Sequence, residues 1–272
     1  MNGSTKSLPR GIEPWRQRQL PLTVFILLVL TTPRVSVCRR RLRGRRWLVD
    51  VCKRREAVKL AVSVQGRAMQ IKICGVTRHD DAAVALSEGA NAIGCVFYPG
   101  SPRSVTVKQA REISFAVTGL GLMVGLFVNA SEQQIEEALT SVPLHMLQFH
   151  GTESPAFCEQ FGRPYIKAIA MSEGVDLLKE NDRFHSASAL LLDSPHEGQF
   201  GGSGTTFDWS RVLPEVRDRI VLAGGLSAEN VAAAVAQVKP VAVDVSSGVE
   251  RMKGIKDRAK IRAFINAARA AV

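Results

Sequence analysis

Short apolar runs alternate with longer amphipathic segments eight times between Met69 and the C-terminus. The apolar runs are continuous, which is typical of parallel strands covered by helices on both faces. Eight such strand–helix units fit a closed (β/α)8 TIM barrel; a doubly wound open sheet is the alternative, but it seldom needs so many regular units. The sequence therefore predicts an α/β fold, a single barrel over residues 69–272. The predicted strands are Gln70–Cys74, Ala92–Phe97, Leu122–Val128, Met146–Phe149, Tyr165–Ala170, Ala189–Asp193, Ile220–Ala223 and Val241–Val245.

Helix caps support part of this division. Ser131 is followed three residues later by Gln134, a spacing that predicts a helix N-terminus closed by a capping box. Ser227 is expected to be the N-cap of the helix that follows the seventh strand.

Residues 1–68 differ sharply from the rest of the chain. They hold 16 Lys and Arg against 3 Asp and Glu, whereas residues 69–272 hold 20 against 22. The apolar stretch Leu20–Leu30 is too short to span a membrane, and no Ala-x-Ala site follows it. Three interpretations remain: a mis-assigned start ahead of Met69, which we favour, an Arg-rich targeting segment, or a basic arm for nucleic acid or anionic lipid. We expect this extension to be disordered if it is expressed.

Cysteine and histidine spacing argues against two classes of site. The five cysteines are odd in number and form no C-x-x-C pair, so no disulfide framework is indicated. The five histidines show no i, i+4 or His-x-His spacing, which argues against zinc. We expect no metal, and a cytoplasmic protein unless residues 1–68 are a genuine transit segment.

Two reactive side chains are placed at predicted strand ends. Asp193 ends the apolar run of the sixth strand, and Cys74 ends the first. In a barrel all strands point the same way, so both residues are expected at the catalytic rim. A carboxylate beside a buried strand needs a partner or a function, which favours a functional Asp193. On position alone, Cys74 is also compatible with a buried core residue. Three phenylalanines at strand ends are expected at the same rim: Phe97, Phe127 and Phe149.

Two glycine loops indicate a phosphate site. Gly224 and Gly225 follow the seventh strand, and Ser247 and Gly248 follow the eighth. Barrels often bind phosphate with these two loops, because glycine lets backbone N–H groups approach the oxygens. Ordinary turns are the alternative interpretation.

Further candidates surround this rim. Arg103 lies in the proline-containing loop after the second strand, and its guanidinium suits a carboxylate ligand. His150 is a possible substrate contact, as are Gly202 and Gly204 in the glycine loop after Asp193. Asp244 is expected to point inward, as a structural residue or a support for a neighbouring group rather than an acid, and the position of Glu250 does not indicate a role.

Eight segments of residues 69–272 carry a family resemblance when taken in order. They are Lys72–Thr77 (KICGVT), Gly94–Arg103 (GCVFYPGSPR), Val124–Asn129 (VGLFVN), Leu147–Gly151 (LQFHG), Leu192–Ser194 (LDS), Gly201–Trp209 (GGSGTTFDW), Ala223–Leu226 (AGGL) and Asp244–Glu250 (DVSSGVE). Together they closely resemble the phosphoribosylanthranilate isomerase family of tryptophan biosynthesis. Residues 1–68 match nothing in that family.

The resemblance implies an Amadori rearrangement of N-(5-phosphoribosyl)anthranilate to 1-(2-carboxyphenylamino)-1-deoxyribulose 5-phosphate. It assigns the general acid to Asp193 and the general base to Cys74. It assigns the anthranilate carboxylate contact to Arg103 and the phosphate contact to the two glycine loops. The unperturbed pKa is near 3.9 for aspartate and near 8.5 for cysteine, so both pKa values must shift toward neutrality for Asp193 and Cys74 to act as acid and base. The sequence does not show which group lowers the pKa of Cys74. The resemblance also implies that no cofactor is required. The implied partner is a small phosphorylated substrate, with no nucleic acid and no membrane, for a monomer or homodimer.

Alternative functions remain at this point. The aminoaldose isomerase of histidine biosynthesis resembles this pattern but would carry aspartate in place of Cys74. Indole-glycerol-phosphate synthase would use a strand-end lysine as acid, and Lys72 lies in mid-strand. A non-catalytic binding module with a basic arm is the third alternative.

Overall fold

Eight parallel strands form a closed barrel in the computed structural model, which describes residues 69–195 and 206–272. The strands pair in sequence order, and β8 closes the barrel by pairing with β1. The predicted barrel is therefore confirmed, and the open sheet is excluded. Residues 1–68 and the predicted contacts Gly202 and Gly204 lie outside the described residues. The strands are β1 (Gln70–Ile73), β2 (Ala92–Val96), β3 (Leu122–Phe127), β4 (Met146–Phe149), β5 (Tyr165–Ala170), β6 (Ala189–Asp193), β7 (Ile220–Leu222) and β8 (Ala242–Val245).

Helices follow the strands and pack around the barrel. They are α1 (His79–Ser87), α2 (Val107–Val117), α3 (Glu132–Ser141), α4 (Pro155–Glu159), α5 (Leu177–Arg183), α6 (Val231–Val238) and α7 (Arg258–Ala270). Short 3-10 helices span Trp209–Arg211, Pro214–Arg219 and Ser247–Val249. A two-stranded antiparallel hairpin, β9 (Glu250–Met252) and β10 (Ile255–Lys256), lies between β8 and α7. None of the helices in the described parts of the chain is long and apolar enough to cross a membrane.

One of the two predicted caps is present. Ser131 and Gln134 form a complete capping box at the start of α3. The prediction for Ser227 was wrong, because α6 begins later and Asn230 is its N-cap. The Ser227 hydroxyl instead accepts a hydrogen bond from the backbone of Glu229, and Asn230 accepts one from the backbone of Ser227. These bonds stabilise a turn, which delays the start of the helix.

Alternate residues of each strand face two different layers. In β6, Leu190 and Leu192 pack in the large core between the barrel and the helices, whereas Leu191 packs in the barrel interior with residues such as Ile166. Asp193 lies two residues beyond Leu191, so its side chain belongs to the inner face.

The same alternation corrects one expectation about the rim. Phe127 and Phe149 are fully buried in the helix-facing core, and Phe97 packs against that core. The phenylalanines at the strand ends therefore point away from the rim. Their immediate neighbours point inward instead, because successive side chains of a strand alternate between its two faces.

Candidate active site

A cavity lies at the carboxyl ends of the barrel strands. It is lined by Cys74, Val96, Tyr98, Ser101, Arg103, Leu126, Val128, Gln148, His150, Asp193, Ala223, Gly224, Gly225, Leu226, Asp244, Val245, Ser246 and Ser247. The cavity thus brings together most of the predicted site residues, from six different strands and the loops that follow them. Gly248 is not among the lining residues, although the adjacent Ser247 is.

Asp193 is backed by a short chain of polar side chains. Nε2 of His150 lies 3.2 Å from Oδ2 of Asp193. The Gln148 amide nitrogen lies 3.2 Å from Nδ1 of the same ring. An amide nitrogen only donates, so Nδ1 must accept, and the Nε2 proton is directed at Asp193. The other carboxylate oxygen, Oδ1, accepts from the backbone N–H of Ser194 at 2.9 Å. These contacts fix the carboxyl group at the rim.

Cys74 lies beside a buried ion pair. Lys72 and Asp244 occupy opposite positions in the register of β1 and β8, and their side chains meet at 2.9 Å. Burial raises the pKa of the Cys74 thiol above its ordinary value, while the charge of Lys72 acts to lower it. Burial also acts to lower the pKa of Lys72, but the charges and hydrogen bonds of Asp244 and Cys74 together outweigh it, and the pKa of the lysine is raised. Lys72 is therefore a permanent positive charge below the thiol.

Arg103 is held in place by the hairpin that follows β8. Its Nε and Nη2 donate to the two carboxylate oxygens of Glu250, at 2.7 and 2.8 Å. Glu250 also accepts from Nζ of Lys256 at 2.9 Å. Burial acts to raise the pKa of Glu250, but the hydrogen bond from Arg103 and the charge of Lys256 keep it below its usual range. The bidentate pair uses one edge of the guanidinium, and no side chain or carbonyl of the described residues accepts from Nη1, which leaves this group for a ligand in the cavity.

The two glycine loops present unused backbone donors. Gly224 and Gly225 have φ values of +78° and +61°, in the left-handed region that favours glycine. Within the described residues, no hydrogen bond is donated by the backbone N–H groups of Gly224, Gly225, Ser247 or Gly248. A side chain at Gly224 would also strike Ser194, next to Asp193. Such N–H groups suit an anion.

Sequence reasoning missed three of the side chains that complete this site. Lys72 lies two residues before Cys74. Because side chains alternate between the two faces of a strand, this spacing alone indicates that both residues face the same side of β1. Gln148 lies two residues before His150 and follows the same rule. Lys256 had no such signal, because it reaches Glu250 and Ser246 only through the hairpin. Asp244, expected to be structural, lines the cavity and pairs with Lys72.

The described residues contain no group of three or more His, Cys, Asp or Glu side chains placed to hold a metal ion. Cys74, Cys95 and Cys158 are all buried free thiols. The cavity therefore offers two kinds of function at its rim: proton transfer by a carboxyl and a thiol, and anion binding by Arg103 and the glycine loops.

Comparison with known proteins gives a consistent result. A family model described as N-(5′-phosphoribosyl)anthranilate (PRA) isomerase matches residues 71–267. A protein of that name from Pseudomonas fluorescens Pf0-1 is 54% identical over 202 residues, which is 74% of this chain and 99% of the relative. Another, from Nitrosococcus oceani, is 52% identical over 196 residues, covering 72% of this chain and 95% of the relative.

Solved structures agree with these relatives. Phosphoribosyl anthranilate isomerase from Thermotoga maritima superposes with a TM-score of 0.68 and 40% identity, over 74% of this chain and 99% of that chain. A structure of such an enzyme in complex with reduced 1-(o-carboxyphenylamino)-1-deoxyribulose 5-phosphate has a TM-score of 0.66 and 38% identity, with the same coverage.

Proposed function

Since the chain belongs to the N-(5′-phosphoribosyl)anthranilate isomerase family, we propose that its cavity carries out that family's reaction in tryptophan biosynthesis. The reaction converts the aminoaldose N-(5-phosphoribosyl)anthranilate into the aminoketose 1-(2-carboxyphenylamino)-1-deoxyribulose 5-phosphate. One observation carries the proposal: Cys74 and Asp193, at the carboxyl ends of β1 and β6, line one cavity together with Arg103 and the glycine loops.

Asp193 acts as the general acid. Its proton passes to the ribose ring oxygen, the bond from that oxygen to C1 breaks, and the electrons of the anthranilate nitrogen form a C1–N double bond. The His150 and Ser194 contacts hold the carboxyl group at the rim for this transfer. The resulting Schiff base forms with the substrate's own nitrogen, so the chain needs no catalytic lysine for it.

Cys74 acts as the general base. Its thiolate takes the C2 proton, and the electron pair of that C–H bond flows toward the iminium nitrogen to give an enolamine. The enolamine then tautomerises to the ketone. A base must be deprotonated to work, and burial opposes this for Cys74, so the positive charges near its sulfur are essential to the step.

Arg103 and the glycine loops hold the two ends of the substrate. Nη1 of Arg103 binds the anthranilate carboxylate, while its other edge stays on Glu250. The backbone N–H groups of Gly224, Gly225, Ser247 and Gly248 bind the phosphate at the opposite side of the cavity. Anchoring both ends orients C1 and C2 between the acid and the base.

Turnover of N-(5-phosphoribosyl)anthranilate, followed by the loss of its fluorescence, tests the proposal. We expect Cys74→Ala and Asp193→Asn each to lower kcat by about 10²–10⁴-fold, the usual worth of an acid–base group. Cys158→Ala and Asp182→Asn make the same changes outside the cavity and are the matched controls. Near-normal turnover in either cavity variant, with circular dichroism unchanged, would overturn the assignment.

The partner, the compartment and the first 68 residues are further parts of the proposal. The substrate is a small phosphorylated molecule, and the protein works in the cytoplasm as a monomer or homodimer; a solved relative is described as dimeric. Residues 1–68 play no part in the reaction. A chain that starts at Met69 is expected to keep the full-length kcat, and light scattering gives its oligomeric state.

A further inference from the structure

A buried ion pair lies in the barrel interior at the edge of the cavity, where Asp244 is one of the lining residues. Lys72 is 4% exposed and Asp244 is 7% exposed, and they face each other across β1 and β8. Their side-chain atoms Nζ and Oδ1 are 2.9 Å apart. Burying two charges is expensive, and apolar residues of similar volume would serve the core as well or better. The pair therefore calls for a reason other than packing.

Cys74 shares its immediate surroundings with this lysine. A Cβ atom placed on Gly94 of β2 would lie 2.8 Å from Sγ of Cys74 and 3.1 Å from Cε of Lys72. Sγ and Cε thus lie within about 6 Å of each other around one glycine, and the charged Nζ is bonded directly to Cε. An opposite charge at such a short range favours the ionised form of a group. The absence of a side chain at Gly94 is what lets them meet.

Other ionisable groups face the sulfur from the neighbouring elements. They are Lys72 on β1, Cys95 on β2, Arg103 in the loop after β2, Asp244 on β8 and Lys256 on β10. Lys72 exerts the largest effect of any of these charges on the Cys74 thiol, and Asp244 the next largest, in the opposite direction. Arg103 and Lys256 both donate hydrogen bonds to the Glu250 carboxylate, whose negative charge offsets their effect on the sulfur.

We propose that Lys72 is a positioning residue that stabilises the thiolate form of Cys74, with Asp244 fixing the lysine in place. The inference rests on the proposed role of Cys74 as the general base. Lys72 keeps its proton throughout. The thiolate sulfur takes the C2 proton of the substrate and becomes a thiol, and the thiol later returns that proton during tautomerisation or loses it to water. The lysine stabilises the anionic form of the sulfur before this transfer.

Opposite shifts in two variants test the proposal. In the full chain without substrate, the rate of Cys74 alkylation by iodoacetamide is followed against pH by peptide mass spectrometry, which separates the five cysteines. Lys72→Met removes the positive charge, so Cys74 alkylation at pH 7 is expected to fall by about tenfold or more. Asp244→Asn removes the negative charge and keeps the lysine, so alkylation at pH 7 is expected to rise.

Turnover gives a second, independent measure. In Lys72→Met the acidic limb of the kcat profile is expected to move to higher pH, and activity recovers as the pH is raised. In Asp244→Asn the limb moves to lower pH. A merely structural lysine would lower kcat at every pH alike. Lys108→Met, the same change at an exposed position of α2, is the matched control and leaves both profiles unchanged.

A double variant keeps the test decisive if a lone buried charge prevents folding. Lys72→Met with Asp244→Asn leaves no buried charge, and we expect slow Cys74 alkylation because the lysine outweighs the aspartate. An unchanged alkylation profile in the double variant, or shifts in the same direction in both single variants, would overturn the inference. Alkylation needs no substrate. Failure of the wild-type protein to turn over phosphoribosylanthranilate would therefore refute the proposed function separately.

Discussion

Replacing Lys167 by methionine is the most demanding single test of how His150 is positioned. Lys167 lies on β5 and points into the layer between barrel and helices. Its Nζ donates to the backbone carbonyls of Phe149 and Gly151 and to the Glu153 carboxylate. The same carboxylate accepts from the backbone of Gly151 at 2.9 Å. The ion pair therefore holds the backbone on both sides of His150.

The expected loss of stability follows from burial. The side chains of Lys167 and Glu153 are 4% and 3% exposed. Removing one partner of such a pair costs about 3–5 kcal/mol, because the other charge stays buried without compensation. With an m value of about 2–3 kcal/mol/M in urea, the unfolding midpoint should fall by roughly 1–2.5 M. A loss of this size is a large part of the stability of an ordinary protein.

Catalysis should fall together with stability. Once the backbone at Gly151 is released, the His150 ring is no longer fixed against Asp193, and a displacement of about 1 Å in such a site can lower turnover about 100-fold. Urea unfolding, monitored by circular dichroism, measures the loss of stability. Steady-state turnover at urea concentrations below the unfolding transition measures the loss of activity. The double variant Lys167→Met with Glu153→Gln should recover part of the stability, because no unpaired charge remains.

Lys179→Met is the control, since Lys179 is exposed on α5. If Lys167→Met unfolded at the wild-type urea concentration, the pair would not be buried as described. If it lost stability but kept its full kcat, the link between this pair and His150 would be refuted.

Three further variants probe other parts of the barrel. Arg103→Ala should mainly raise KM, by about tenfold or more for a lost charged hydrogen bond, and an unchanged KM would remove Arg103 from the site. Gly224→Ala should weaken phosphate binding, measured by the inhibition constant of inorganic phosphate, because a methyl group there strikes Ser194 and is strained at φ +78°. Hydrogen bonds from two arginines of α7 lower the pKa of Glu88 to about 2, so its stabilising effect is present above pH 4.5 and lost as the pH falls toward 2. The difference in unfolding midpoint between Glu88→Gln and the wild type should disappear over that interval.

The sequence predicted the barrel because a repeated pattern marks each strand. Continuous apolar runs separated by amphipathic helices leave few other architectures, and each of the eight predicted strands lies within two residues of its observed bounds. The sequence pattern did not predict the hairpin β9–β10. Lys256 ends β10, and Asp257 caps α7 by accepting from the backbone of Lys260. A two-residue strand carries no periodicity by which to find it.

The site was predictable where it depends on a single strand, and unpredictable where it depends on long-range contacts. Asp193 and Cys74 follow from their positions at strand ends, and Lys72 would have followed from parity with Cys74. The partner of Arg103 is different, because Glu250 is 147 residues away and is brought to it by the closing hairpin. No spacing in the sequence relates these two residues.

The cavity combines three reactive side chains with three partners held below or beside them. Asp193 has His150, Cys74 has Lys72, and Arg103 has Glu250. Lys72 precedes Cys74 by two residues along the same strand, whereas the other two pairs join distant parts of the chain and form only when the barrel folds. Buried charges of this kind contribute little net stability, and apolar replacements would often be tolerated or favourable. Their presence in the interior of a barrel is therefore best explained by the chemistry at its rim, where a fixed charge changes the protonation of a neighbouring group in a way that packing cannot.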